Sequence, residues 1–275
     1  MSTTLAFIGA GNMSLSLIGG LIASGYQASQ LIATDRDPER GRHLSQLYGI
    51  ECLTDNAQAV ERADVVVLAV KPQQLAELCQ SLQSAVQAKK PLIVSIAAGV
   101  RTRDIDRWLG GETAIVRTMP NTPSLIQSGA AGLYANERVT ADQKDNAEHL
   151  MRAAGVTVWV EHESELDVIT AVSGSGPAYY FLMMEIMQKV GQQMGLSPKT
   201  AQLLTVQTAF GAAKMALESH DDCQTLREKV TSPNGTTEKA LNVFAQHDLE
   251  AIVTEAMEAS RDRAKSLADE LGRQT

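Results

Sequence analysis

The sequence predicts an α/β protein: a doubly wound, largely parallel sheet, followed by an all-helical domain. Three observations predict it. From Leu5 to about Trp159, short runs of Val, Ile and Leu alternate with amphipathic stretches, the pattern of βα units wound around a sheet covered on both faces. A glycine turn directly follows the first apolar run. After about Glu163 the strand-like runs stop, and apolar residues recur only at helical spacing.

The elements follow in order. "LAFIG" and "LIATD" read as the first strands, and residues 64–70 (DVVVLAV) and 91–99 (PLIVSIAAG) as strands apolar on both faces. "TAIVRTMPNTP" supplies another strand, and "GVTVWV" at 155–160 a late one. Between them, "PERGRHLSQLY" and "QAVERA" suit surface helices. An acidic polar cluster at 161–165 marks the boundary, so the expected domains are 1–162 and 163–275. Long helices are expected over 178–195, 198–219 and 248–272. "GSGPA" starts the first of them, with Pro177 near its first turn. Met183, Met184, Met187 and Met194 on that helix read as packing, either in the core or at a subunit contact.

Composition narrows the class of function. A chain of 275 residues has room for one large domain or two ordinary ones. Its formal charge of −8 argues against nucleic acid or an anionic membrane as partner, while leaving room for a small anionic ligand. Cys52, Cys79 and Cys223 lie far apart without C-x-x-C spacing, and the five histidines are scattered, so no metal site is expected. The thiols read as reduced, in a cytoplasmic protein. No apolar run reaches the roughly 20 residues of a membrane span. The apolar N-terminal stretch lacks a basic leader and carries an early glycine turn, so it belongs to the fold and not to a signal peptide.

"FIGAGNMS" places Gly9 and Gly11 after a strand and before a helix-like stretch, the setting a dinucleotide fingerprint requires. Gly9 makes the turn, Gly11 lets backbone approach a pyrophosphate, and the helix N-terminus faces the negative charge. Ser14 stands where the third glycine would be. At the end of the second strand, an acidic residue pairs with a ribose 2′-hydroxyl and an Arg with a 2′-phosphate. Asp35 and Arg36 sit there side by side. Thr34 with Arg36 favours NADPH, and Asp35 leaves NADH open. Far downstream, "EKVTSPNGTTEKAL" has two readings, a helix cap built of Ser, Thr and Asn, or a cradle of backbone amides for an anion.

"AVKPQ" (69–73), "SIAAG" (95–99), "MPNTP" (119–123), "AVSGSGPAYYF" (171–181) and "VTSPNGTT" (230–237) follow the fingerprint in order. Together they resemble the pyrroline-5-carboxylate reductase family over nearly the whole chain. Ser14 departs from the family's usual Gly or Ala, and Asn234 from its usual second Gly. The resemblance implies a Rossmann-like dinucleotide-binding domain, then a helical domain for dimerisation and substrate binding. It implies a homodimer through that helical domain, assembled into a larger ring such as a decamer. By resemblance the cofactor lies along Gly9, Gly11, Asn12 and Met13, with Arg36 and Asn56. The nicotinamide end is lined by Ala69, Val70, Lys71 and Pro72 and by Ala97. The substrate, 1-pyrroline-5-carboxylate, is held by Val230, Ser232, Gly235, Thr236 and Thr237.

On this reading the opening between cap and cradle closes in favour of the cradle. Ser232, the amides of Gly235 and Thr236, and the start of the next helix hold the carboxylate without a cationic side chain. Thr237 is the catalytic candidate, its hydroxyl placed for the imine nitrogen or a water relay. Lys71 reads as a residue beside the cofactor in preference to a general acid. Met119, Pro120, Asn121 and Thr122 are expected on the cofactor side of the pocket, and Ser175 in support of it. A β-hydroxyacid dehydrogenase is the neighbouring enzyme reading, but Lys189, Lys199 and Lys214 lack the setting of that family's lysine. A regulatory sensor of the nucleotide pool would have no use for the small-residue loop at 231–237.

Overall fold

The structure, a computed structural model, describes residues 3–273. The first elements are β1 (Leu5–Ile8), α1 (Asn12–Ala23), β2 (Leu31–Thr34), α2 (Pro38–Tyr48), β3 (Glu51–Leu53) and α3 (Asn56–Arg62). The series continues through β4 (Val65–Leu68), α4 (Leu75–Lys89), β5 (Leu92–Ser95), α5 (Thr102–Trp108), β6 (Ile115–Met119) and β7 (Gly129–Ala135). Then come α6 (Ala141–Arg152), β8 (Gly155–Trp159), α7 (Glu165–Ile169), α8 (Gly176–Gln193) and α9 (Pro198–Glu218). The last helices are α10 (Cys223–Lys229), α11 (Thr236–Gln246) and α12 (Leu249–Gly272).

All eight strands form one sheet in the order β3-β2-β1-β4-β5-β6-β7-β8. Only the β6–β7 pairing is antiparallel, and β8 returns parallel to β7. Residues alternate between two buried clusters, one on each face. Leu5 and Phe7 of β1, with Val65 and Val67 of β4, pack with Leu17, Leu21 and Leu150. Ala6, Ile8, Val66 and Leu68 pack on the other face with Leu75, Leu82 and Trp108. Each such large apolar side chain contributes about 1.5–3 kcal/mol on burial, which is why these runs hold no polar residue.

Two strands lie outside the expected set. β3 has only three residues, too few for a periodicity to show. β7 is GAAGLYA, poor in β-branched residues, because its neighbours leave no room for larger ones. A Cβ added at Gly132 would come within 2.4 Å of Ile169 Cδ1, and one at Gly129 within 2.9 Å of the Ala154 carbonyl oxygen.

The chain forms two compact units. The first unit runs through Ser175 and resumes at Ser260, while the second is Gly176–Ala259. α7 and the π-turn Thr170–Gly174 belong with the sheet, Leu166 being fully buried. The last turns of α12 return there as well. Leu267 packs against the cluster of Ile105 and Trp108, and Arg101 pairs with Asp269 at 2.6 Å.

In the second unit α8 begins at Gly176 with Pro177 in its first turn, as expected. Met183, Met187 and Met194 are exposed in the single chain, so they are not its core. Phe181, Phe210 and Leu217 are also exposed, the last at 85%. No helix among the described residues is long and apolar enough to cross a membrane.

Candidate active site

A cleft of about 260 Å³ opens at the carboxyl ends of β1, β2 and β4, in the first unit. The strand order reverses between β1 and β4, and ligands of open α/β sheets bind at such a point. Gly9 makes the turn with φ +104, where a Cβ would stand 2.8 Å from the Ala69 carbonyl oxygen. Any side chain there would collide with backbone. At Gly11 an added Cβ would meet nothing within 4 Å. Gly11 is the N-cap of α1 and supplies no side-chain cap, and the first turn holds no acid. Unpaired amides and the positive end of the helix dipole therefore face open space, a setting that suits a pyrophosphate.

Ser14 fits the third fingerprint position by spending its hydroxyl. It is fully buried, and its Oγ donates to the Gly9 carbonyl at 2.5 Å. The polar side chain is thus satisfied inside the turn it supports.

Of the expected cofactor residues, Gly9, Gly11, Thr34, Arg36, Asn56, Ala69, Val70 and Lys71 share this cleft. Asn12, Met13, Pro72 and Ala97 do not line it. Asn12 is exposed on the first turn of α1, and Met13 packs on the Phe7 side of the core. Pro72 starts the 3₁₀ turn Pro72–Gln74 behind Lys71. Ala97 is buried in the cluster with Leu68 and Val100, because its place after β5 turns it inward. Asp35, Arg40 and Gln74 also line the cleft, and sequence reasoning missed the last two. The signal for Arg40 was its position on the first turn of α2, one helical turn beyond Asp35 and Arg36.

The end of β2 shows how Asp35 and Arg36 divide their work. Asp35 accepts from the Asp37 amide at 2.8 Å and from Arg40 Nη1 at 3.5 Å. Asp37 in turn caps α2, accepting from the Glu39 amide at 2.9 Å. Arg36 is exposed at the cleft and makes no hydrogen bond or ion pair among the described residues. The carboxylate is engaged inside the turn, and the guanidinium is free.

The second group lies in the second unit, before α11. Asn234 adopts φ +59, so the left-handed turn survives the replacement of Gly. Its amide donates to Glu238 Oε2 at 2.9 Å. The Gly235 amide donates to the Ser232 carbonyl at 3.0 Å, so the expectation of a free N–H at Gly235 is corrected. Its role is steric, since a Cβ there would stand 2.9 Å from the same oxygen. No side chain caps α11 at Gly235, which leaves the first-turn amides of Thr236, Thr237 and Glu238 without intrahelical acceptors. The side chains of Ser232, Thr236 and Thr237 are exposed beside them, as is Val230. Thr231 Oγ1 is committed to the Arg227 carbonyl at 2.6 Å.

Other expected residues prove to be structural. The Asn121 amide group bridges Ala130 N at 2.9 Å and the Ser173 carbonyl at 3.0 Å. Ser175 Oγ lies 2.9 Å from Ser260 Oγ, a hydroxyl pair within the first unit. A charge cluster whose pairing no sequence pattern indicated joins buried Arg117 of β6 to Glu163, from the acidic stretch at 161–165, at 3.2 Å and to Asp167 at 3.6 Å. Glu163 also accepts from the Thr102 amide and hydroxyl at 2.7 and 3.0 Å.

Comparison with known proteins adds the relations of the chain. The family model for pyrroline-5-carboxylate reductase dimerisation matches residues 163–267, and that for NADP oxidoreductase, coenzyme F420-dependent, matches 4–99. A curated pyrroline-5-carboxylate reductase of Pseudomonas aeruginosa is 49% identical over 273 residues, covering 99% of this chain and 100% of its own. A solved structure of a pyrroline-5-carboxylate reductase from Coxiella burnetii superposes with a TM-score of 0.94 at 45% identity, covering 98% of this chain and 99% of that one. A Plasmodium falciparum pyrroline carboxylate reductase with NADP bound has a TM-score of 0.84 at 26% identity, covering 97% and 98%.

Proposed function

The chain belongs to the pyrroline-5-carboxylate reductase family, and from that premise we infer that it reduces 1-pyrroline-5-carboxylate to L-proline with NAD(P)H. The observation that carries the reading is the relation to a curated reductase over the full length of both chains. It is an oxidoreductase of proline biosynthesis, with a nicotinamide cofactor and a dimerisation domain.

The cleft suits that cofactor because it joins a backbone turn closed to any side chain to an uncapped helix N-terminus. When bound, the nicotinamide supplies a hydride to the imine carbon. The protein aligns the two rings and holds the charged groups. Gly9 and Gly11 would flank the pyrophosphate, Asn12 and Met13 would meet it only through the backbone amides of the first turn of α1, and Asn56 would lie toward the adenosine. Ala69, Val70, Lys71, Pro72 and Ala97 shape the nicotinamide end, Pro72 and Ala97 by supporting the loops from behind. Val230, Ser232, Gly235 and Thr236 hold the substrate carboxylate, with the amides of the first turn of α11 as donors. The Thr237 hydroxyl hydrogen-bonds the ring nitrogen and orients the imine.

NADPH is the preferred cofactor on this reading. Support comes from Arg36, free at the cleft beside Thr34, while Asp35 is held by Arg40 and the Asp37 amide. The dimers assemble into a larger ring such as a decamer, and three free thiols suit a cytoplasmic location.

The test is the initial rate of NADPH and NADH oxidation by the purified protein, with and without 1-pyrroline-5-carboxylate. Substrate-dependent oxidation with a higher kcat/KM for NADPH is expected. Nucleotide binding without turnover would overturn the reading in favour of a sensor, and sedimentation of the same sample gives the assembly size.

A further inference from the structure

Arg40 is the charged residue of the cleft that no motif points to. It lies on the first turn of α2, in the same wall as Arg36, Asp35 and Asn56. Its side chain is 56% exposed and touches Asp35 at 3.5 Å, a long contact that leaves the guanidinium four further N–H donors. Asp35 is the more enclosed partner, at 12% side-chain exposure, and a second donor fixes its carboxylate. An exposed cation thus rests on an enclosed, doubly hydrogen-bonded anion at the strand end where cofactors are told apart.

Charge makes this arrangement selective. A 2′-phosphate entering beside Arg36 brings about two negative charges next to the Asp35 carboxylate. Arg36 alone does not offset both. A second guanidinium that moves from carboxylate to phosphate does, since its planar fork pairs bidentately with a phosphate as it does with a carboxylate, and the phosphate brings the larger charge. A ribose 2′-hydroxyl brings no charge and only needs an acceptor, which Asp35 is.

We propose that Arg40, resting on Asp35, is a second cofactor-selecting residue: it joins Arg36 on the 2′-phosphate of NADPH and stays on Asp35 when NADH binds. The proposal rests on the reductase reading only for the identity of the nucleotide. Its test is therefore direct binding, without imine substrate. NADP⁺ and NAD⁺ are titrated calorimetrically into the full-length protein and into Arg40→Gln, Arg40→Lys, Asp35→Asn and Arg36→Gln.

Arg40→Gln is expected to weaken NADP⁺ by about tenfold or more, with NAD⁺ within about twofold, and Arg40→Lys to recover part of the loss. Asp35→Asn is expected to tighten NADP⁺ and weaken NAD⁺. Weakening of NADP⁺ by added salt is expected to be shallower in Arg40→Gln. If Arg40→Gln leaves the NADP⁺ to NAD⁺ affinity ratio unchanged while Arg36→Gln lowers it, Arg40 takes no part in selection. Equal loss of both nucleotides, unrelieved in Arg40→Lys, also overturns the proposal, since Arg40 would then serve only to hold the turn. An enzyme that shows the predicted binding but no imine reduction would leave the selection intact and overturn the reductase reading instead.

Discussion

At the scale of single residues, conformation decides more than side-chain chemistry. Gly9 is required twice over, by its positive φ and by the Ala69 oxygen 2.8 Å from any Cβ. Gly9→Ala is expected to destabilise the first unit by about 1–3 kcal/mol and to abolish nucleotide binding, read by thermal shift with and without NADP⁺. Equal responses to NADP⁺ in variant and wild type would contradict it. Asp104 is a different case. It is buried against the end of α12, where Arg107 donates to the Gly272 carbonyl at 2.6 Å, and its Oδ2 has no hydrogen-bond partner among the described residues. Burial raises its pKa above the ordinary carboxylate range, against the lowering effect of Arg103, Arg107 and Arg101. The folded protein therefore holds this proton more tightly than the unfolded chain, so the contribution to stability is present below about pH 4 and lost as pH rises through the raised value. Relative to wild type, Asp104→Asn is expected to gain stability over that rise, measured by urea unfolding between about pH 4 and 8. Parallel curves would refute the shift.

At the scale of elements, the loop before α11 shows how a helix start becomes a site. The turn needs a left-handed residue at 234, and Asn supplies it at φ +59. Asn234→Ala is expected to cost about 1 kcal/mol and Asn234→Gly to change stability by only a few tenths, by chemical denaturation. A large loss in the glycine variant would show that the Asn side chain itself matters. For the reaction, Thr237→Ala is expected to lower kcat by at least about tenfold with little change in cofactor affinity. Gly235→Val, by forcing Ser232 aside, should chiefly raise the KM for the imine. Unchanged kinetics with 1-pyrroline-5-carboxylate in both variants would remove this loop from the site. The opposite lesson comes from β7. Its Gly and Ala residues hid a seven-residue strand, since α7 fills the space beside Gly132, and Ser124 and Ala154 that beside Gly129.

At the scale of the whole molecule, the second unit exposes many large apolar side chains. Phe210 of α9 is 61% exposed, in the company of Leu203 and Val206 on the same helix. Patches of this kind mark association surfaces, and the dimerisation model spans the region. Phe210→Glu is expected to release the 29.5 kDa chain as a monomer and to reduce turnover, measured by light scattering after size exclusion and by NADPH oxidation. An unchanged mass would place the contact elsewhere.

The sequence by itself determined the α/β class, the passage to helices, the glycine cradle and the family, because those rest on local periodicity and on motifs contiguous in the chain. Tertiary structure decided what depends on residues distant in sequence. It showed that the last turns of α12 return to the first unit, that Ser14 closes on Gly9, and that the Gly235 amide is already taken. It also assembled Arg117, Glu163 and Asp167, and set Arg40 on Asp35 at the cleft. Burial and pairing belong to the packed chain, and no local pattern reports which donors and charges folding will leave free.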